Sequence, residues 1–177
     1  EFVPDGSPIA VPVLYYDCFS GVSGDMNLGA FLDLGVGEMP LRSGLERLGV
    51  AGYDLRVGRE RRRGIAGTRV EVRLDPGARP AARNLASVRA LIADSGLDER
   101  IQSFSRHVFE RLADAESRVH DVPPDRVHFH EVGAIDALVD IVGTAICLHD
   151  LGWPIVVSSP VELGSGRVTA RCRISCA

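Results

Sequence analysis

The chain has 177 residues, 45% hydrophobic and 25% charged with 19 glycines, a globular composition that excludes a disordered or fibrous protein. A net charge of -4 and an isoelectric point near 5.7 offer no basic face for nucleic acid, which excludes it as a partner. All 20 basic residues are arginine, so no mechanism can use a Schiff-base or P-loop lysine; no apolar run reaches the roughly 18 residues that a membrane-spanning helix needs, so no membrane is expected.

Residues 1–12, with Pro4, Gly6, Pro8 and Pro12, lack periodicity and read as a tail or expression remnant, leaving 13–177 as a single domain. Val13 to Tyr16 is a short apolar run that predicts a strand, followed by a Gly/Ser-rich loop. Met26, Ala30, Phe31 and Leu34 then recur at helical spacing, and Leu41, Leu45 and Leu48 predict a second helix closed by Gly49. The stretches 53–60 and 65–74 alternate apolar with charged residues around a turn at Arg61-Arg62-Arg63-Gly64, the signature of an antiparallel hairpin whose turn arginines face solvent or meet a phosphate. Residues 75–83, rich in Pro, Gly, Ala and Arg, predict an exposed linker and a subdomain boundary.

Leu85, Val88, Leu91 and Ile92 form one apolar stripe, and Ile101, Phe104, Val108, Phe109, Leu112 and Val119 a longer one, so two packed helices are expected. After Pro123-Pro124, residues 127–131 read as extended, and 134–151 as a helix with Ile135, Leu138, Val139, Val142 and Ile146 inward. Residues 155–157 and 166–169 predict further strands. The fold class is therefore α/β or α+β, a mixed sheet with flanking helices and a β-hairpin insertion in the first half. Cys18, Cys147, Cys172 and Cys176 form no CxxC pair, and the amino terminus lacks a signal-peptide pattern, so reduced thiols in a cytoplasmic protein are expected.

Two segments carry chemistry. In Asp17-Cys18-Phe19-Ser20-Gly21-Val22-Ser23-Gly24-Asp25-Met26, a strand gives way to a helix. Gly21 and Gly24 let the backbone approach a ligand, Ser20 and Ser23 offer hydroxyls, and a helix start presents N–H groups to phosphate or carboxylate. Asp17 and Asp25 bracket the loop, which suits a cation lying between them and an anion. The same residues also fit a plain turn in which Ser23 or Asp25 caps the helix. The second segment contains His128, His130, Glu131, Asp136 and Asp140. On a strand, His128 and His130 share a face while Phe129 points to the core; on a helix, Asp136 and Asp140 share a face and repel unless a cation or arginine intervenes. Imidazole with carboxylate suits zinc, nickel, iron or manganese. Alternatively one histidine packs in the core and the acids decorate a helix. Cys18 reads either as a thiol activated by the helix end or as a small buried residue.

The stretches YYDCFSGVSGDM at 15–26 and VHFHEVGAIDALVDIVG at 127–143 resemble the two signature stretches of the LarC family of nickel insertion proteins. LASVRALIADSGL, AESRVH and SSPVELGSG resemble it in order and spacing, so the likeness spans about residues 13–168. The resemblance implies an enzyme of nickel-pincer cofactor biosynthesis, a chelatase-type lyase inserting nickel into pyridinium-3,5-bisthiocarboxylic acid mononucleotide. It further implies a CTP-dependent reaction with a divalent cation (Mg or Mn), the CTP-binding domain or subunit lying carboxy-terminal to this region. A homo-oligomer is compatible with this. Carried over by motif position, Asp17 and Asp25 are catalytic, Ser20, Gly21, Ser23 and Gly24 bind substrate, and His128, His130, Glu131, Asp136 and Asp140 hold metal. The sequence departs from the family at Pro80-Ala81-Ala82-Arg83, where a histidine-rich stretch is usual. It departs again at Cys172-Arg173, in place of a His-Gly and proline-rich run, and Ala177 precedes the expected CTP-binding domain. Rival readings are a nickel-binding module without catalysis, which would bind no nucleotide, and a paralogue acting on a related nucleotide in small-molecule biosynthesis.

Overall fold

The computed structural model describes residues 11–76, 83–129 and 135–164. These form β1 (Val13–Tyr16), α1 (Gly24–Asp33), α2 (Glu38–Glu46), β2 (Tyr53–Arg62), β3 (Ile65–Leu74) and β4 (Arg83–Asn84). They continue through α3 (Leu85–Asp94), α4 (Glu99–His120), a 3-10 turn at Pro124–Arg126, β5 (His128–Phe129), α5 (Ile135–Asp150) and β6 (Ile155–Ser158). The mixed α/β class expected from the sequence is observed. Its parallel and antiparallel pairings are divided among separate sheets: β1 runs parallel to β6, β2 antiparallel to β3, and β4 antiparallel to β5.

α5 is apolar around most of its circumference, and a helix of that kind must be enclosed. Ile135, Leu138, Val139, Val142 and Ile146 are all buried, as their spacing predicts. Val139, Val142 and Ile146 join Leu28 and Phe31 of α1, Leu41 and Leu45 of α2, and Leu55 and Val70 of the hairpin in one core. Leu138 instead joins Leu85, Val88 and Ile92 of α3 with Phe109, Ala113 and Phe129 in a second. Each large side chain enclosed this way contributes roughly 1.5–3 kcal/mol. Phe129 points inward as expected, its ring 6.2 Å from that of Phe109.

Several local expectations are revised. Of the four apolar residues at helical spacing in α1, only Phe31 is buried; Leu28 and Gly29 share its face, while Met26 and Leu34 are each 59% exposed. Contact decides this. α1 lies between α5 and β3, and Gly29 faces the backbone of Thr68, where its missing side chain lets the strand come close. Asp33 fixes the other end, accepting from the Thr68 amide (2.8 Å) and hydroxyl (2.7 Å), and these bonds hold its carboxyl below the ordinary range. The hairpin turn is tighter than expected: Arg63 and Gly64 alone form it, both with positive φ, so Arg61 and Arg62 belong to β2. Near 127–131, Val127 closes the 3-10 turn, and His128 and Phe129 pair with Asn84 and Arg83. The expected strand at 166–169, most of the tail and the central part of the 75–83 linker lie outside the described residues.

A Cβ at Gly29 would collide with the Thr68 carbonyl oxygen, whereas one at Gly58 in β2 would meet open space. Gly29→Ala is therefore expected to lower stability by about 1–3 kcal/mol, and Gly58→Ala to change it by about 0.5 kcal/mol or less. Urea denaturation midpoints measure both; equal midpoints would contradict this packing.

Candidate functional site

β1 and β6 run parallel, and the loops leaving their carboxyl ends are stitched together. The Ser159 amide donates to the Tyr16 carbonyl (2.9 Å), the Cys18 amide to the Ser159 hydroxyl (2.8 Å), and the Glu162 amide to the Cys18 carbonyl (3.3 Å). In open α/β sheets, ligands bind beyond these strand ends. Gly21, with φ of +79°, turns the chain back so that its amide donates to the same Cys18 carbonyl (3.1 Å). Asp17, Ser20, Ser23 and Asp25 are exposed around this bend. Ser23 occupies the N-cap position of α1 but makes no side-chain capping bond; its hydroxyl donates to Asp25, which also accepts from the Met26 amide (2.9 Å). Cys18 and Cys147 are buried free thiols, consistent with the packing role left open for Cys18.

The loop meets α5 at one point. A side chain at Gly24 would fall on the carboxyl group of Asp140, so the start of α1 lies directly against that acid. A chain of hydrogen bonds holds the contact: the Tyr16 hydroxyl donates to Asn27 (2.8 Å), the Asn27 amide to the Thr144 hydroxyl (2.8 Å), and that hydroxyl to the Asp140 carbonyl (2.6 Å). Burial pushes the Tyr16 hydroxyl up to about 12, so it remains a donor. The Asp140 carboxyl is half-buried, and its Oδ1 is buried without a hydrogen-bond partner. Burial first, then the charges of Asp136 and Asp25, push this carboxyl up to about 6. It borders a groove of about 500 Å³ whose walls include Phe104, Val108, Leu112 and Ile141. An apolar groove with one desolvated acid is the usual form of a small-molecule site.

Asp136, one turn before Asp140, is exposed and accepts from the Ala137 amide (2.9 Å). The structure thus gathers Asp25, Asp136 and Asp140 within electrostatic reach. Among the described residues, no three His, Cys, Asp or Glu side chains are grouped so as to hold a metal ion. His130 and Glu131 lie outside the described residues, and the backbone of His128 sits in β5 beside Asn84. His120 pairs with Glu116 at the end of α4 (3.1 Å).

Sequence reasoning passed over Tyr16, Asn27 and Thr144, which come from three separated segments and carry no local signal. It also left Arg62 at a turn. Because β2 continues through Arg62, that side chain lines a second groove of about 450 Å³ with Ser23, Asp25, Glu60 and Arg69. Arg62 pairs with Glu60 (3.0 Å), whose hydrogen bond and charge raise its pKa, with Asp25 adding to the effect.

The Gly/Ser loop at the parallel strand ends and the carboxylate-edged apolar groove thus adjoin one another at the start of α1 in an α/β protein. Residues 14–174 match the family described as nickel insertion protein, and the chain belongs to that family. A relative from Syntrophobacter fumaroxidans named for nickel insertion is 52% identical over 157 residues, covering 89% of this chain and 40% of its own length. One from Roseiflexus castenholzii is 49% identical over 156 residues, covering 88% and 39% respectively. A Clostridium kluyveri protein, named for nickel insertion and pyridinium-3,5-bisthiocarboxylic acid mononucleotide, is 39% identical over 167 residues, covering 88% and 42%. The chain thus spans about two fifths of the length of the curated relatives it matches. No solved structure matches it. Among the described residues, no helix is long and apolar enough to cross a membrane.

The raised Asp140 carboxyl has a signed consequence. Its ordinary value is 3.8 and its folded value about 6, so between those pH values the unfolded chain gives up the proton first and ionisation weighs against the folded state. This group's contribution to stability falls as pH rises through that window. Asp140→Asn should therefore gain stability relative to the parent between pH 4 and pH 7. Denaturant midpoints for both proteins across the range test this, and a difference that does not vary with pH would refute it.

Proposed function

We propose that this chain is the metal- and substrate-handling part of a nickel insertion protein acting on pyridinium-3,5-bisthiocarboxylic acid mononucleotide. The observation that carries the reading is the unpartnered Oδ1 of Asp140, set against Gly24 at the start of α1 on the edge of an apolar groove. A buried carboxylate oxygen without a donor, pressed by two further acids, is suited to a cation. Nickel is the cargo. Asp136 and Asp140, with His128, His130 and Glu131 from the same motif, supply oxygen and imidazole ligands that release the ion more readily than a thiolate cage would. Insertion then exchanges these donors for the thiocarboxylate sulfurs of the nucleotide.

The nucleotide phosphate is assigned to Ser20, Gly21, Ser23 and Gly24, with the helix start supplying N–H groups. Arg62 and Arg69, in the adjoining groove, bring positive charge to the same end of α1. Asp17 and Asp25 flank the phosphate and hold the divalent cation, Mg or Mn, that the family resemblance implies. CTP belongs to a carboxy-terminal domain or subunit, so no residue of this chain is given a role in its chemistry. The reaction is of the chelatase-type lyase class, and the proposed setting is the cytoplasm, in keeping with buried free thiols at Cys18 and Cys147.

Calorimetry with nickel and with the mononucleotide separates the two halves of this site. The double substitution Asp136→Asn with Asp140→Asn is expected to weaken nickel binding on the order of 10- to 100-fold while leaving the circular dichroism spectrum unchanged. Unaltered nickel affinity would remove these acids from the metal site. Arg62→Ala should weaken mononucleotide binding about 10- to 100-fold, the equivalent of one charge-assisted hydrogen bond; nickel affinity without any nucleotide affinity would favour a metal-binding module.

A further inference from the structure

Two sheets of this molecule are exposed in different ways. The β2–β3 hairpin carries Arg and Glu along its strands, with ion pairs Arg62–Glu60, Arg69–Glu60 and Arg73–Glu71 on its surface. Charged side chains of that kind are how proteins protect an exposed strand from further pairing. The β1–β6 sheet has none: its strands read VLYY and IVVS. Their parallel register places Val13 opposite Ile155 and Tyr15 opposite Val157, so these four side chains share one face. They are 60%, 53%, 59% and 45% exposed, while Leu14 and Tyr16 pack toward the core from the other face.

Parallel sheets are stable when both faces are covered, and among the described residues this one has two strands, one bare apolar face and, on its other face, Val156 of β6 51% exposed. The bareness continues onto α1. Met26 and Leu34, the apolar residues that the helix turns outward, line a groove of about 230 Å³ beside Tyr15 of β1. Strand face and helix residues form a largely apolar surface, with Asp17 at the rim of the groove, of the kind that marks an interaction site.

We propose that this surface seats the part of the family's protein that this chain does not span, and that the seated part contributes at least one strand to the β1–β6 sheet. The size of the occupant follows from the relatives, in which roughly three fifths of the length lies outside the match. Its chemistry follows from the surface: an uncharged strand edge accepts backbone hydrogen bonds, and the bare face accepts apolar side chains. The inference rests on family membership and the fold, and does not depend on the nickel reading.

The test mixes this chain with the separately produced remainder of the Syntrophobacter fumaroxidans relative, the portion outside its match here. Sedimentation is expected to show a one-to-one complex, and hydrogen exchange to show new protection of the amides in Val13–Tyr16 and Ile155–Ser158. Tyr15→Asp combined with Val157→Asp should weaken the complex about 100-fold or more while leaving nickel affinity and the thermal midpoint of the chain unchanged. No complex, a complex indifferent to the two substitutions, protection confined to other segments, or self-association of the chain through this face would each overturn the proposal. Loss of nickel binding with the complex intact would bear on the metal site alone.

Discussion

Much of this molecule hangs on how closely α1 can be approached. Gly24 admits the carboxyl group of Asp140 on one side, and Gly29 admits the Thr68 carbonyl on another. A side chain at either position would push a neighbour away and separate the loop from α5 or the helix from the hairpin. The hydrogen bonds from Tyr16 through Asn27 and Thr144 then fix the register of the first contact, and Asp33 with Thr68 fixes the second. Because α1 is held at both ends, the Gly/Ser loop before it has a defined position relative to α5 and β3 alike.

That arrangement concentrates negative charge. Asp140 loses hydration against α1 while Asp25 and Asp136 lie near enough to oppose its ionisation. A protein gains nothing in stability from such a grouping, since like charges in a partly desolvated place cost free energy. The cost becomes intelligible if a cation occupies the region during function. On the proposed reading, labile donors suit an ion that is passed on, and the same electrostatic tension would favour transfer of a bound metal.

The Gly/Ser loop and the bare face belong to the same two strands. Tyr16 ends β1 and begins the hydrogen-bonded loop system, while Tyr15 points to the uncovered side. Anything that pairs with or covers this sheet therefore acts on the scaffold from which Asp17 to Ser23 project. The charged hairpin packs on α1 through β3 and carries solvent-exposed ion pairs along its strands, apart from the groove it forms with the start of the helix.

Periodicity alone placed α3, α4 and α5, the hairpin strands and the short strand before the glycine loop, because each depends on local spacing of apolar residues. The i, i+4 relation of Asp136 and Asp140 and the strand-to-helix position of the Gly/Ser loop were legible for the same reason. The burial of Phe31 rather than Met26 or Leu34, the reach of Arg62 into a groove, and the approach of Gly24 to Asp140 were not legible. Each depends on which distant surface arrives against the helix or strand, a matter of packing among segments that local pattern does not encode. Sequence by itself determined the elements and the chemical types available; tertiary structure decided which faces met, because steric fit at two glycines and a handful of side-chain hydrogen bonds outweighed the apolar stripe of α1.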